Sequence, residues 1–338
     1  MIVKRALLKS EIDKIKDFLH KMNLSWDDEI LHSFYVEHNH EIIATGSRSH
    51  QVIKCLAADK NWQQLNLTNL LVDEITKSFN EDQIYHYYVA TEVKNSEIFK
   101  SLGFSEIIRT DMVVLFEKGI DLIKDKLNQL KVQLENHLKT KLNNLDVGAI
   151  VINANPITLG HLKLIETAKS NHEILIIFLV EEDSSFFSYK ERMSLLYLAV
   201  HHLHNVFILP STEYLVSKMT FPSYFLKEKT SLTEYQTIID TSIFNKYFIP
   251  IFNISKRYVG NETKSYMTSY NETLKNILKD KLELINRYQL NNEVISSSKV
   301  RELIKNNEIE KALEYMPKTT HALFKEIVRS KINGKNNF

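Results

Sequence analysis

Residues 148–168, GAIVINANPITLGHLKLIETA, decide the fold of this chain. The apolar run over 149–152 predicts a buried strand, and the Asn-Ala-Asn-Pro that follows predicts a turn. Apolar residues at helical spacing then predict a helix that opens with Thr158, Gly160 and His161. The first N–H groups of a helix are unpaired and partially positive, so this turn favours phosphate. Gly160 would let a ligand approach the backbone closely.

The composition is that of an ordinary globular protein, long enough for two domains. The 338 residues are 43% hydrophobic and 25% charged, with a net charge of +1. So small a charge gives no global attraction to nucleic acid or membranes, and any anion site must be local. Cys55 is the only cysteine, and its strand-like apolar neighbours predict a buried structural residue. No window has the length of an uncharged membrane span, and the N-terminus lacks a signal peptide's apolar core, so we expect a cytoplasmic protein.

The first third of the chain has the pattern of an α+β domain, which we predict over residues 1–118. The predicted helices cover 10–22, 65–79 and 95–102, and the predicted strands cover 33–36, 42–47, 52–57, 85–90 and 111–116. This order, with the segment NSEIFKSLGF at 95–104, resembles the GNAT acetyltransferases and implies their fold. The glycines of their pyrophosphate loop align with Gln63 and Leu65. Side chains there would block close backbone approach, so we expect a carrier-docking or structural role for this domain.

The rest of the chain predicts a connecting helix and a second domain. Leucine and isoleucine recur along one stripe of a charged segment, which predicts a connecting helix over 119–145. Strand and helix patterns then alternate over 146–338, which predicts a doubly wound parallel sheet. Ligands bind such sheets at the carboxyl ends of the strands, where the Asn-Ala-Asn-Pro turn lies.

A second motif, ISSSKVR at 295–301, opens a helix far downstream of the first. Ser296, Ser297 and Ser298 can cap this helix, or can hold phosphate oxygens together with its free N–H groups. Arg301 adds a fixed cation about one turn later. The ordered pair of Thr-x-Gly-His and Ile-Ser-Ser-Ser-x-x-Arg resembles the nucleotidyltransferase superfamily, in which both motifs bind ATP phosphates.

Three segments are similar to one branch of that superfamily, the citrate lyase ligase family. They are NANP at 153–156, FFSYKERMSLL at 186–196 and RYVGNE at 257–262. The order of a GNAT-like domain, a connecting helix and a nucleotidyltransferase domain is also that family's.

This resemblance implies an enzyme that uses ATP and Mg²⁺ to activate acetate as acetyl-AMP. The prosthetic-group thiol of the citrate lyase acyl carrier protein would then take the acetyl group, and AMP and pyrophosphate would be released. The resemblance implies catalytic roles for Thr158, His161, Arg192 and Arg301. It implies nucleotide contacts for Asn153, Asn155, Gly160, His161, Arg257, Gly260, Ser296, Ser297, Ser298 and Arg301. We expect no metal ligand from the protein, and nothing in the pattern indicates an oligomeric state.

Two alternatives stay open. Another adenylyl- or cytidylyltransferase, such as one like phosphopantetheine adenylyltransferase, would share Thr-x-Gly-His. Asn155 argues against it. This position is usually an aspartate in the superfamily, and an amide cannot offer the negative charge of a carboxylate to magnesium or an amine. A non-catalytic docking protein on a transferase scaffold is the other alternative, and the intact pair of motifs argues against that.

Overall fold

The computed structural model describes residues 1–181, 185–216, 229–261, 268–290 and 293–335. The chain divides into two compact units. Unit 1 consists of Met1–Lys126 and Lys218–Ile239, and unit 2 of Leu127–Ser217 and Asp240–Phe338. The domain limits 1–118, 119–145 and 146–338 stay a prediction.

Unit 1 is built on a seven-stranded sheet with the order β1-β2-β3-β4-β5-β7-β6. The strands are β1 Lys4–Arg5, β2 His32–His38, β3 Glu41–Arg48, β4 Val52–Ala58, β5 His86–Glu92, β6 Ser105–Arg109 and β7 Val113–Gly119. The helices are α1 Lys9–Lys21, α2 Leu67–Glu81 and α3 Ser96–Ser101. Neighbouring strands are antiparallel, except that β4 and β5 run parallel and pair at only two positions. The predicted α+β class of this unit is confirmed.

The core of unit 1 forms where α2 packs on the sheet. Leu71, Ile75 and Phe79 follow one another at helical spacing on α2, and all three are fully buried. The Phe79 ring stacks on Tyr87 of β5 with 4.5 Å between the ring centroids. Cys55 is also fully buried, as predicted, and burial raises the pKa of its thiol to about 12.

Unit 2 is built on a five-stranded sheet with the order β10-β9-β8-β11-β12, and every neighbouring pair is parallel. Its strands are β8 Val147–Ile152, β9 Ile174–Leu179, β10 Val206–Pro210, β11 Ile254–Gly260 and β12 Leu282–Ile285, and a small hairpin adds β13 Gln289–Leu290 and β14 Glu293–Val294. The predicted doubly wound parallel sheet is confirmed.

The chain has further helices, and the unit boundaries after residues 126 and 239 fall within two of them. They are α4 Ile123–Leu138, α5 Leu159–Ser170, α6 Tyr189–Val200, α7 Lys229–Ile243, α8 Ile249–Phe252, α9 Thr268–Leu278, α10 Ser297–Lys305, α11 Ile309–Leu313 and α12 His321–Lys335. All six residues of β9 are buried, because a parallel strand has both faces covered. None of the helices in the described ranges is long and apolar enough to cross a membrane.

The strand order of unit 2 reverses beside β8. The chain moves from β8 outward through β9 to β10, and then returns to the other side of β8 with β11 and β12. The connections therefore leave β8 and β11 in opposite directions, which opens a crevice at their carboxyl ends. Ile152 is the last residue of β8, so the Asn-Ala-Asn-Pro turn enters this crevice.

Candidate functional site

The first motif forms a turn that is closed by reciprocal hydrogen bonds between Thr158 and His161. Thr158 is the N-cap of α5, and its hydroxyl accepts a hydrogen bond from the His161 backbone N–H at 3.4 Å. The backbone N–H of Thr158 in turn donates to Nδ1 of His161 at 3.1 Å, and the Thr158 hydroxyl lies 2.9 Å from the same nitrogen. This capping box fixes the imidazole beside the start of the helix.

These contacts determine which nitrogen of His161 carries the proton. A backbone N–H can only donate, so Nδ1 must accept and can carry no proton. Burial, and to a smaller extent the charge of Arg287, lower the pKa of His161 to about 4. The imidazole is therefore neutral at pH 7 and presents Nε2–H as a donor on its other side.

The second motif docks on the same turn. Ser296 caps α10 by accepting from the Lys299 backbone N–H at 3.2 Å. The Ser297 hydroxyl donates to the Pro156 carbonyl at 2.8 Å. Arg301 donates from Nη1 to the Asn155 carbonyl and from Nη2 to the Ser298 hydroxyl at 3.1 Å. The N-termini of two helices, α5 and α10, are therefore held against one turn.

A cleft of about 550 Å³ opens over this turn, a volume in the usual range for small-molecule sites. Ten of the predicted site residues line it: Asn153, Asn155, Thr158, Gly160, His161, Gly260, Ser296, Ser297, Ser298 and Arg301. Lys163 and Arg287 add two cations to the lining. Within the described residues, no group of three or more His, Cys, Asp or Glu side chains could hold a metal ion. The lining is thus rich in N–H, hydroxyl and cationic donors, which suits a polyphosphate.

The sequence is similar to known proteins over the unit that carries the cleft and over nearly its whole length. The family model of the citrate lyase ligase C-terminal domain matches residues 147–324. The chain is 30% identical over 327 residues to the citrate (pro-3S)-lyase ligase of Escherichia coli K12, which covers 94% of this chain and 91% of the relative. It is also 30% identical over 342 residues to the Klebsiella pneumoniae ligase of the same name, which covers 98% of each chain. The chain belongs to the citrate lyase ligase family.

This membership makes the chain a ligase and confirms the resemblance inferred from the motifs. Solved structures of acetyltransferases match the N-terminal third of the chain. A GNAT-family acetyltransferase of Staphylococcus aureus covers 35% of this chain and 99% of its own, with 16% identity and a TM-score of 0.30. The ribosomal-protein-S18-alanine N-acetyltransferase of Escherichia coli covers 35% and 94%, with 14% identity and a TM-score of 0.28. Likenesses this partial say nothing about activity.

Arg192 of this ligase lies behind the turn instead of in the cleft. Its side chain is fully buried and donates to the carbonyls of Asn153 at 2.9 Å, Val180 at 2.6 Å and Phe187 at 3.2 Å. These carbonyls follow β8, follow β9 and precede α6, so Arg192 joins three segments at the carboxyl edge of the sheet. Such contacts are those of a positioning residue. The catalytic role of Arg192 stays a prediction.

Asn155 and the two glycines have structural contacts of their own. The Asn155 side-chain oxygen accepts from the Phe187 backbone N–H at 3.0 Å, which ties the turn to the segment before α6. A Cβ on Gly160 would lie 3.6 Å from the Ile295 carbonyl, an ordinary contact, and a Cβ on Gly260 would meet only the Arg287 side chain at 4.0 Å. The protein alone therefore does not demand either glycine, and their contact with a ligand stays a prediction.

Arg257 is the other predicted residue that does not line the cleft. It is 5% exposed, and its guanidinium carbon lies 4.4 Å from the centre of the Phe244 ring. In the described part of the chain its Nε and Nη1 atoms have no hydrogen-bond partner. Glu262, which belongs to the same motif, lies outside the described residues.

Arg287 is a cleft residue that the motifs do not indicate. It follows the last residue of β12, Ile285, by two positions, and it is close enough to His161 to lower that residue's pKa. Burial lowers the pKa of Arg287 itself. The signal that could have found it is its place just after a parallel strand of this sheet, where binding residues concentrate.

Proposed function

We propose that this chain is the ATP-dependent ligase that acetylates the prosthetic-group thiol of the citrate lyase acyl carrier protein. The reaction passes through acetyl-AMP and releases pyrophosphate and AMP. The observation that carries the proposal is the joining of the two motifs at one cleft, where Ser297 and Arg301 bind the carbonyls of Pro156 and Asn155. ATP is the polyphosphate that such a cleft would accept in an adenylating enzyme.

The first step forms acetyl-AMP. A carboxylate oxygen of acetate attacks the α-phosphorus of ATP, the new O–P bond forms, and the bond to the bridging oxygen breaks as pyrophosphate leaves. His161 offers a neutral Nε2–H donor to the α- and β-phosphates, beside the N–H groups that open α5. Ser298, Arg301 and the first turn of α10 would hold the β- and γ-phosphates. Mg²⁺ would enter with ATP and would supply positive charge to its phosphates.

The second step transfers the acetyl group. The thiol sulfur of the carrier attacks the acetyl carbonyl, a C–S bond forms and the C–O bond to AMP breaks, and the thiol proton leaves with the products. No protein nucleophile takes part. Catalysis in both steps, one at phosphorus and one at a carbonyl carbon, is positioning and charge stabilisation by fixed donors.

Pyrophosphate release is the direct test. The purified protein would be given ATP and Mg²⁺, with and without acetate and with and without citrate lyase in its thiol form. Release that requires both acetate and the carrier, with AMP as the second product, is the expected result. Release with a phosphorylated alcohol or phosphopantetheine instead of acetate would point to the adenylyltransferase alternative. ATP binding without release under any of these conditions would point to a docking protein.

A further inference from the structure

Arg257 is a buried cation in unit 2, and two of its three guanidinium nitrogens have no hydrogen-bond partner among the described residues. It lies three residues before the end of β11, opposite Ala149 of β8. Its Nε and Nη1 atoms are inaccessible to solvent and unpaired. The arginine stays charged because the pKa of a guanidinium is far above neutrality, although burial lowers it.

The surroundings of Arg257 compensate its charge only in part. The guanidinium carbon lies 4.4 Å from the centre of the Phe244 ring, a cation–π contact that offsets part of the cost of burying the charge. Asp240 and Tyr270 are near enough to act on its charge, but neither forms an ion pair or hydrogen bond with it in the described structure. A buried charge with unmade hydrogen bonds costs several kcal/mol. An anion that accepts from the guanidinium would remove that cost.

Arg257 does not itself line the cleft, but two residues related to it do. Alternation along β11 places Arg257 and Val259 on the same face of the sheet, and Val259 lines the cleft. Tyr270 of α9, which interacts with the charge of Arg257, also lines the cleft. A ligand in the cleft that reaches past Tyr270 would therefore come to the guanidinium.

The neighbours of Arg257 favour a small monoanion over a phosphate chain. Phe244 belongs to an aromatic cluster in which Phe178 packs against the rings of Phe244, Phe248 and Phe252, with centroids 6.2, 5.1 and 5.2 Å away. The Asp240 carboxyl acts on this cation, but burial raises the pKa of Asp240 to about 7, so the guanidinium can still take up one further negative charge. The donors suited to several charges, Arg301 and Arg287 with the two helix N-termini, lie in the open cleft.

We infer that Arg257, with Tyr270 beside it, binds the carboxylate of the acid substrate. This inference rests on the proposed function and specifies its acid subsite. The guanidinium donates to the carboxylate, and the Tyr270 hydroxyl adds a second donor. ATP is bound by the motif residues, and the acid is bound by Arg257, so the two substrates have separate determinants in one cleft.

The experiment compares Arg257→Met with Arg287→Met, since each replaces one arginine by an unbranched apolar side chain. Acetate-dependent exchange of labelled pyrophosphate into ATP gives a KM for each substrate. A hydrogen bond to a charged group contributes about 1.5–3 kcal/mol, so Arg257→Met should raise the KM for acetate by roughly 10- to 150-fold. Its KM for ATP should stay within about twofold of wild type. Arg287→Met should show the opposite pattern. Tyr270→Phe, which keeps the ring, should raise the acetate KM severalfold and covers the case in which Arg257→Met does not fold.

A binding measurement keeps this test separate from the test of turnover. The methyl signal of acetate in solution NMR should broaden with wild-type protein and ATP, and should not broaden with folded Arg257→Met. An unchanged acetate KM, or a rise confined to the ATP KM, would overturn the inference and leave the ligase assignment standing. If acetate binding depends on Arg257 but the protein never releases pyrophosphate, the acid subsite would stand and the ligase assignment would be overturned.

Discussion

Each unit of this chain carries a cleft of nearly the same size, and the two differ in what lines them. The cleft of unit 2 measures about 550 Å³, and serine, threonine, histidine and arginine side chains line it at two helix N-termini. The cleft of unit 1 measures about 530 Å³ and lies where β4 and β5 separate after two paired positions. Its lining is mostly apolar and includes Ile53, Leu56, Trp62, Leu67, Val89 and Phe99.

The helices that open on the two clefts begin in different ways. Thr158 caps α5 with a side-chain hydrogen bond, and the turn before it carries the motif residues. α2 begins after Asn66, whose φ is 48° and whose side chain makes no capping hydrogen bond, and Leu67 is buried at its first position. A parallel strand followed by a helix is thus present in both units, but the first turn of α5 presents a hydrogen-bonded threonine–histidine pair to its cleft, whereas that of α2 presents Thr68 and Asn69. The fold supplies a position, and the residues at that position decide what binds.

The largest expected effect is that of removing the imidazole. His161→Ala should lower the rate of acetate-dependent pyrophosphate exchange by ~10²-fold or more, because it removes a fixed donor to the reacting phosphates. His161→Gln should lose less, since an amide N–H can replace the neutral Nε2–H. The matched change in the other cleft, Thr68→Ala at the start of α2, should change the exchange rate by less than about twofold. Equal losses in the two clefts would mean that the adenylating site is not confined to unit 2.

Arg301 should have the next largest effect. Arg301→Ala removes a cation from the cleft and also the donor to the Asn155 carbonyl, so the KM for ATP should rise by roughly 10-fold or more. Arg301→Lys keeps the charge but not the forked geometry and should recover only part of the loss. A wild-type KM and kcat in Arg301→Ala would show that Arg301 is a surface residue that does not bind ATP.

Gly148 and Gly260 of unit 2 allow the effect of packing to be measured separately from the effect of ligand approach. A Cβ on Gly148 would lie 2.4 Å from the His172 ring, which Asp146 and Tyr258 fix by hydrogen bonds of 2.8 and 2.9 Å. Gly148→Ala should therefore lower the free energy of unfolding of unit 2 by about 1–3 kcal/mol, as a fall in Tm would show. Gly260→Ala meets no such contact, so it should leave Tm unchanged. If a nucleotide passes close to Gly260, the same change should raise the KM for ATP.

The sequence predicted the architecture well because the strongest signals are local. An apolar run predicts β8, and capping residues predict the starts of α5 and α10. Each of these three elements begins within two residues of its predicted place. The strand Ser105–Arg109 was missed, since two apolar residues between charged ones give little period-two signal.

The site was predicted less completely, because motifs name residues without orienting them. Arg192 and Arg257 were both expected at the ligand. The structure buries Arg192 under backbone carbonyls and Arg257 under Phe244. Packing by distant segments decides which face of a helix or strand a cation occupies. Phe244, which covers Arg257, precedes it by more than ten residues in the chain. Arg287 carries no motif at all, and only the strand order shows that the end of β12 borders the cleft.

The smallest expected effect is that of pH on the exchange rate, in which the titration of His161 should not appear. The pKa of His161 is lowered to about 4, so its protonation state does not change between pH 5.5 and 8, and the exchange rate should show no inflection from it near pH 6.5. The free energy of unfolding, in contrast to the exchange rate, should depend on pH through His161. Because the folded-state pKa is below the unfolded value of about 6.5, the unfolded chain binds more protons between these values. The stabilisation is complete above pH 6.5 and is lost as the pH falls toward 4. Tm measured from pH 7 to 4.5 should therefore fall less steeply in His161→Gln than in wild type. A rate inflection at pH 6.5 that His161→Gln abolishes would show instead that the imidazole is exposed and titrates, and that its neutral donor role is wrong.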